Sequence, residues 1–404
     1  MKKREYKVFP INILAFLRVA IGVTVGLAFP LYFVRIGLNP NIIGIITSGT
    51  ALTYLFSPLL LRKVHLRIGI KLTLIIATSG FLLIQFIFQF FLEPLLVFLM
   101  LILDGIFLGM FWPVLASAVS AISKTKGYRE NDRLKDKLMK NYSLSWNIGG
   151  IASYLIGTLV LFFISNIILM FRLALIYAIV GLAFAIIFQN PPIKIEDDVI
   201  LPLDENIKSY PRREDLNFPV YIPLILICIY GFIIGFIGLV YPIKSEFLKF
   251  PLFTNYTLYF LRMVLQTLFI SKSMEFSIKT LKKLIMPSLL IVSITIFLMG
   301  IVQDVIIFVI LFSILGALHS FLYTFSFKLV IFRNIARNTS KYSTYFEALT
   351  GIGFFLAPII GGFFASIDLS IAFYFLAAVA ICTLIFFLMT RNKIITRVES
   401  SHSG

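Results

Sequence analysis

The sequence is short of charge, short of acid in particular, and almost without cysteine. Only 14% of its 404 residues are Asp, Glu, Lys or Arg, and 19 acidic residues stand against 36 basic ones. Soluble chains carry roughly 25% charged residues, so a water-soluble domain of this length could not clothe its surface from this supply. The two cysteines, Cys228 and Cys382, lie inside apolar runs and have no metal-ligand spacing. No G-x-x-x-x-G-K-[ST] phosphate loop, no H-E-x-x-H and no cysteine cluster occurs. The chain is therefore expected to hold no cofactor and no metal, to carry no catalytic residue, and not to be an enzyme.

What is present is apolar surface in excess. Apolar residues make up 59% of the chain, Phe alone occurs 43 times, and the mean hydropathy is +0.98. The excess is blocked into runs that match the ~20 residues a helix needs to cross a bilayer. Twelve spans are predicted: 11–34, 41–61, 68–92, 94–122, 142–165, 169–189, 218–242, 251–270, 284–300, 302–328, 342–366 and 369–390. The opening MKKREYKV resembles the basic region of a signal peptide, but the apolar run after it is too long and no small-x-small cleavage site follows. It is read as the approach to the first membrane helix.

Charge placement tests these spans independently. With both termini on the cytoplasmic side, inside segments hold thirty of the 36 Lys and Arg, and outside loops hold Arg35, Lys244 and Lys249. A wrong helix count would scramble that parity. The expectation is a multi-pass protein of the cell membrane. The formal charge of +17 then lies beside anionic lipid headgroups of the inner leaflet, and no nucleic-acid partner is expected.

The longest polar connection, Asn190 to Asn217, carries seven acids and falls between spans six and seven. It divides the chain into an N-terminal six-helix bundle (1–189), a cytoplasmic linker (190–217), a C-terminal six-helix bundle (218–390) and a cytoplasmic tail (391–404). The halves echo each other. NYSLSWNIGG from Asn141 aligns with KYSTYFEALTGIG from Lys341 at an offset that sets Tyr142 on Tyr342, Ser143 on Ser343, Trp146 on Phe346 and Asn147 on Glu347. Six helices preserve orientation between halves, so the repeat is parallel, relating two bundles about an axis along the membrane normal.

This layout resembles the major facilitator superfamily of secondary transporters over residues 10–390. The loop SPLLLRKVHLRIGIK keeps Arg62, Lys63, Arg67, Gly69 and Lys71 of that family's basic motif, without its leading glycine and aspartate. GIFLGMFWP, Gly105 to Pro113, is similar to its glycine-rich fourth span. The resemblance implies an all-α polytopic fold of twelve helices in two bundles, working by alternating access around a central site. It implies secondary active transport, as antiport or symport, of a small organic solute, with protons as the expected coupling ion and a monomer as a sufficient unit. Efflux of hydrophobic or cationic compounds competes with uptake of a sugar or organic anion. A non-transporting membrane sensor on the same bundle is the alternative class.

Ionisable groups inside spans are expensive and mark candidate sites, at ~2.5–3.5 kcal/mol for Arg or Asp at mid-helix. Asp104, nearly central in span four, is the first proton-coupling candidate; Glu347 and His319 follow. Substrate-binding candidates are Arg18, Trp112, Tyr142, Trp146, Asn147, Arg262 and Gln266. Tyr142 and Trp146 stand four residues apart on one helix face with Asn147 beside them, a ring-and-amide arrangement suited to a sugar or planar solute. Arg18 and Arg262 point instead to an anionic one. Against each stands a plainer reading: a structural ion pair for Asp104 and Arg18, a satisfied core histidine for His319, ordinary packing for the aromatic stripe. Arg172 and Asp304 stand near span ends and are read as snorkelling to the interface.

Overall fold

The computed structural model describes residues 8–61, 64–123, 125, 132–190, 215–337 and 341–397, and within them the chain is almost wholly helical. Of the expected linker and tail, residues 191–214 and 398–404 lie outside the described residues. The first helix, α1 (Phe9–Arg35), has 27 residues, a rise of about 40 Å against a hydrocarbon core of ~30 Å. It is followed by α2 (Pro40–Thr47), α3 (Gly49–Tyr54), α4 (Ser57–Leu61), α5 (Val64–Ile68), α6 (Ile70–Ile87), α7 (Pro94–Ser123), α8 (Asp132–Phe163) and α9 (Ile168–Ile187). After strand β1 (Asp215–Asn217) come α10 (Tyr221–Phe247), α11 (Leu252–Ser273), α12 (Ile278–Ile301), α13 (Val305–Arg337), α14 (Lys341–Ile367), α15 (Leu369–Thr390) and strand β2 (Ile395–Arg397).

Several expected boundaries move, each for a local reason. The second span is broken into α2, α3 and α4. Thr47 and Ser48 hydroxyls donate to the carbonyls of Ile43 and Ile45, competing with the helix ladder, and Pro58 has no N–H to give to it. The fifth span begins ten residues earlier than expected, because the polar stretch from Asp132 joins the membrane helix as one α8. Likewise α13 runs to Arg337, nine residues past the expected end. Side-chain caps fix other ends: Asn39 accepts from the Asn41 N–H, and Asp368 accepts from Ser370 and Ile371 at 2.7 and 3.0 Å. Gly37 and Gly69, at φ +82° and +87°, take the left-handed turns after α1 and before α6.

Among the described residues eleven helical segments are long and apolar enough to cross a membrane by length and composition, counting Pro40–Leu61 as one. The twelfth, α11, has the length, 22 residues, but carries Thr254, Asn255, Thr257, Arg262, Gln266 and Thr267. A span can hold that much polarity only by facing protein or a water-filled path.

The chain divides into two compact units, Met1–Pro202 with Tyr241–Met263, and Leu203–Val240 with Val264–Gly404. Thus the end of α10 and the first half of α11 pack with the N-terminal helices. In the first unit α1 lies along α8 and α9 and α6 along α7, around a core that includes Leu14, Phe81, Phe111, Leu115 and Ile122. In the second, α12 lies along α13 and α15, around Leu226, Ile285, Leu289, Leu322 and Phe325. That core extends to buried Ile394, whose carbonyl accepts from Lys282 Nζ at 2.8 Å. Just beyond it β2 pairs antiparallel with β1.

The internal repeat is visible in how each fifth span meets a first span. A Cβ on Gly149 would strike the backbone of Phe16 in α1, and one on Gly353 would strike the Cys228 carbonyl in α10. Without side chains at those points the two backbones approach directly, the small-residue contact of membrane helices.

Candidate functional site

The most deeply placed ion pair joins Arg18 and Asp104, each 6% exposed. Arg18 Nη2 donates to Asp104 Oδ2 at 2.7 Å. Gly105 and Gly109 bring the Asp104 helix against α3 and α4, where Thr53 donates to the Ile102 carbonyl at 2.6 Å and Ser57 to the Gly105 carbonyl at 2.8 Å. That approach puts the Thr50 hydroxyl 3.5 Å from the same Oδ2. The guanidinium carbon of Arg18 lies 4.4 Å from the Phe81 ring centroid, a cation–π contact in the first unit's core. Satisfaction is incomplete: Asp104 Oδ1 and Arg18 Nε are buried with no hydrogen-bond partner among the described residues. The pair is strong at one oxygen and bare at the other.

Arg262 is as enclosed as Arg18, at 8% exposed, but its surroundings differ. The described residues offer it no ion pair, and its Nε has no hydrogen-bond partner among them. Tyrosines take the place of a carboxylate. The Tyr259 centroid is 5.4 Å from its guanidinium carbon. Tyr154 of α8 leans over Tyr259 with centroids 5.7 Å apart, and Tyr256 stands 6.2 Å from Tyr154. Tyr256, Tyr259 and Arg262 follow one another at three-residue steps, so they share a face of α11. Tyr256 donates its hydroxyl to the Thr24 carbonyl at 2.8 Å, and Gly157 makes room for its ring. These residues all belong to the first unit.

In the second unit His319 of α13 is 2% exposed and stacks on Tyr230 of α10, with centroids 4.4 Å apart and planes 13° from parallel. The Gln266 amide donates to the Tyr230 hydroxyl, and Tyr323 tilts against the same ring at 5.3 Å. Glu347 is exposed and makes no ion pair among the described residues. The structure thus groups His319 and Gln266 through Tyr230, with Tyr323 against the same ring.

The aromatic stripe is placed more plainly. Trp112, Tyr142 and Trp146 are half-buried and pack on the first unit's core, with Trp112 edge-on to Phe111 at 5.3 Å. The Asn147 amide donates to the Ser143 carbonyl one turn back. Five tyrosines beside the charged candidates, Tyr154, Tyr230, Tyr256, Tyr259 and Tyr323, are missing from the sequence-based set. With 17 Tyr and 43 Phe in the chain, no single aromatic stands out by type. The signal that was available is the three-residue step of Tyr256, Tyr259 and Arg262 in the most polar span.

The Major Facilitator Superfamily sequence pattern matches residues 11–333. No curated protein matches the chain by sequence. Among solved structures, a mutant of the nucleoside transporter NupG is similar over 95% of this chain and 99% of its own, with TM-score 0.75 and 14% identity. A structure of proton dependent oligopeptide transporters is similar over 96% and 98%, with TM-score 0.70 and 12% identity. The inward open xylose transporter XylE from E. coli is similar over 98% of both chains, with TM-score 0.68 and 14% identity. At these identities the likeness is one of fold.

Proposed function

The chain belongs to the major facilitator superfamily, and from that premise we propose that it moves a small organic solute by alternating access, coupled to protons through Asp104. The observation that carries the coupling is the half-satisfied pair. A purely structural buried ion pair is favourable only when its remaining lone pairs and protons are also hydrogen-bonded. Asp104 Oδ1 has no such partner among the described residues, which leaves an oxygen ready to take a proton when Arg18 turns away. Neutral Asp104 releases the arginine; ionised Asp104 holds it. That is a two-position element, as coupling requires.

Glu347, exposed in the structure, is the second proton-accepting group, and His319 stacked on Tyr230 is the third. In this reading the protein is a monomeric carrier of the cell membrane, with both termini cytoplasmic and its basic loops against anionic lipid headgroups. One structural neighbour is a structure of proton dependent oligopeptide transporters, and that supports the choice of ion.

The test is proton flux in liposomes loaded with a pH dye, using wild type, D104N, E347Q and the double variant with Arg18→Met and Asp104→Leu, challenged with cations, sugars and organic anions. The sign of the pH change separates exchange from co-movement. Solute-driven flux in wild type, abolished in the double variant while the protein stays folded, is expected. If the apolar pair keeps coupling, Asp104 only pins helices together.

A further inference from the structure

We infer that Arg262, together with the Tyr154 hydroxyl, receives the anionic group of the solute, so that the transported class is small organic anions bearing a carboxylate or phosphate. The inference rests on the transport reading above and adds the charge of the cargo.

The argument is one of charge balance. A buried cation without a counter-ion or full hydrogen bonding is strongly unfavourable. A single tyrosine face returns roughly 0.5–2 kcal/mol of that penalty. Arg18 meets the requirement with Asp104 at 2.7 Å; Arg262 has no carboxylate among the described residues and keeps a buried, unpartnered Nε. At 8% exposure little of the residue is left to water. An arginine held in this way is a socket for an anion, and its planar fork suits the two oxygens of a carboxylate or phosphate.

The tyrosines supply the rest of the socket. Tyr256 has committed its hydroxyl to the Thr24 carbonyl, which fixes the ring and leaves the anion to others. The Tyr154 ring stands 5.7 Å from that of Tyr259, whose centroid lies 5.4 Å from the Arg262 guanidinium carbon. In the proposed socket the Tyr154 hydroxyl is the second donor. The rings of Tyr154 and Tyr259, tilted 35° to each other, give an apolar or aromatic solute body something to lie against. A cationic drug would meet repulsion from Arg262, and a neutral sugar would leave the charge uncompensated.

Thermal melting of the purified full chain in detergent tests this without a proton gradient. The probes are acetate, succinate, benzoate and phenyl phosphate, set beside acetamide, benzamide and benzylamine. At least one anion is expected to raise the melting temperature saturably, with the neutral and cationic probes inactive. R262Q should abolish the shift, R262K should weaken it at least tenfold, and Y154F should weaken it about tenfold. If no anion outperforms its neutral counterpart, or if R262Q keeps the wild-type midpoint, the inference is wrong. Anion shifts without proton flux in liposomes would overturn proton coupling alone. Proton flux driven by a cation, with silent anions, would overturn this inference alone.

Discussion

Arg18 and Arg262 are the same side chain, on membrane helices, enclosed to nearly the same degree, at 6% and 8% exposure. One sits 2.7 Å from a carboxylate and over a phenylalanine. The other has a ring of tyrosines and no carboxylate among the described residues. Electrostatics gives the two opposite standing in the folded chain. Arg18 and Asp104 neutralise each other, so each has become necessary to the other's burial. Arg262 has no such partner among the described residues, so its burial is the less favourable of the two.

The largest effect is expected from breaking the first arrangement. Asp104→Asn strands the Arg18 cation in the core, and loss of one partner of a buried pair costs about 3–5 kcal/mol. Melting of the purified variant should show it. The double variant with Arg18→Met and Asp104→Leu should recover to within about 1–2 kcal/mol of wild type, since an apolar pair of similar volume needs no counter-charge. Equal damage from the single and double variants would mean that the pair's shape, not its charge, is what the fold depends on.

A lesion without charge separates packing from electrostatics. Gly149→Ala and Gly353→Ala drive a methyl into facing backbone, which cannot step aside as a flexible side chain can, and overpacking of this kind costs about 1–3 kcal/mol. The two variants should behave alike in melting, because each glycine faces the backbone of the first span of its own half too closely for a Cβ. A large asymmetry would break the comparison between halves while leaving that between arginines intact.

The second arginine should respond with the opposite sign. Arg262→Met removes an uncompensated cation and should raise stability by about 1–2 kcal/mol, while anion-dependent stabilisation disappears. A melting temperature below wild type would show that the tyrosines already satisfy the guanidinium, and the contrast with Arg18 would collapse.

The membrane-crossing helices were readable in the sequence because lipid imposes a rule on every residue of a crossing: the backbone must satisfy itself and the side chains must be apolar for ~20 positions. Asp104, Arg18 and Arg262 stood out for the same reason, as rare exceptions to it. The pairing of Arg18 with Asp104 was offered by the sequence as the plainer reading, and the structure forms it; the bare surroundings of Arg262 were not foreseen. Arg18 meets Asp104 across 86 positions of sequence, and nothing in the chain around Arg262 announces that it lacks an equivalent. The tyrosines were hidden by abundance, since helical periodicity gives a face but not what faces it. The breaks in the second span were likewise hidden: they depend on Ser48 and Thr47 hydroxyls choosing backbone acceptors, a choice that apolar periodicity does not record.

A third arginine bounds the comparison from the other side. Arg35, at the end of α1, donates through Nε to Glu246 Oε2 at 2.9 Å, but its side chain is 38% exposed against 13% for the glutamate. Water reaches the pair, so its attraction is screened and both long side chains surrender freedom to form it. Glu246→Gln should therefore change stability by no more than about 1 kcal/mol, and the change should shrink as salt is raised, since exposed charges are screened within ~8 Å at physiological ionic strength. The Arg18–Asp104 pair, enclosed in apolar surroundings, should give a melting difference that salt barely moves. If Glu246→Gln proves as damaging as Asp104→Asn, and as indifferent to salt, then exposure is a poor guide to these pairs and the contrast drawn for Arg262 loses its footing too.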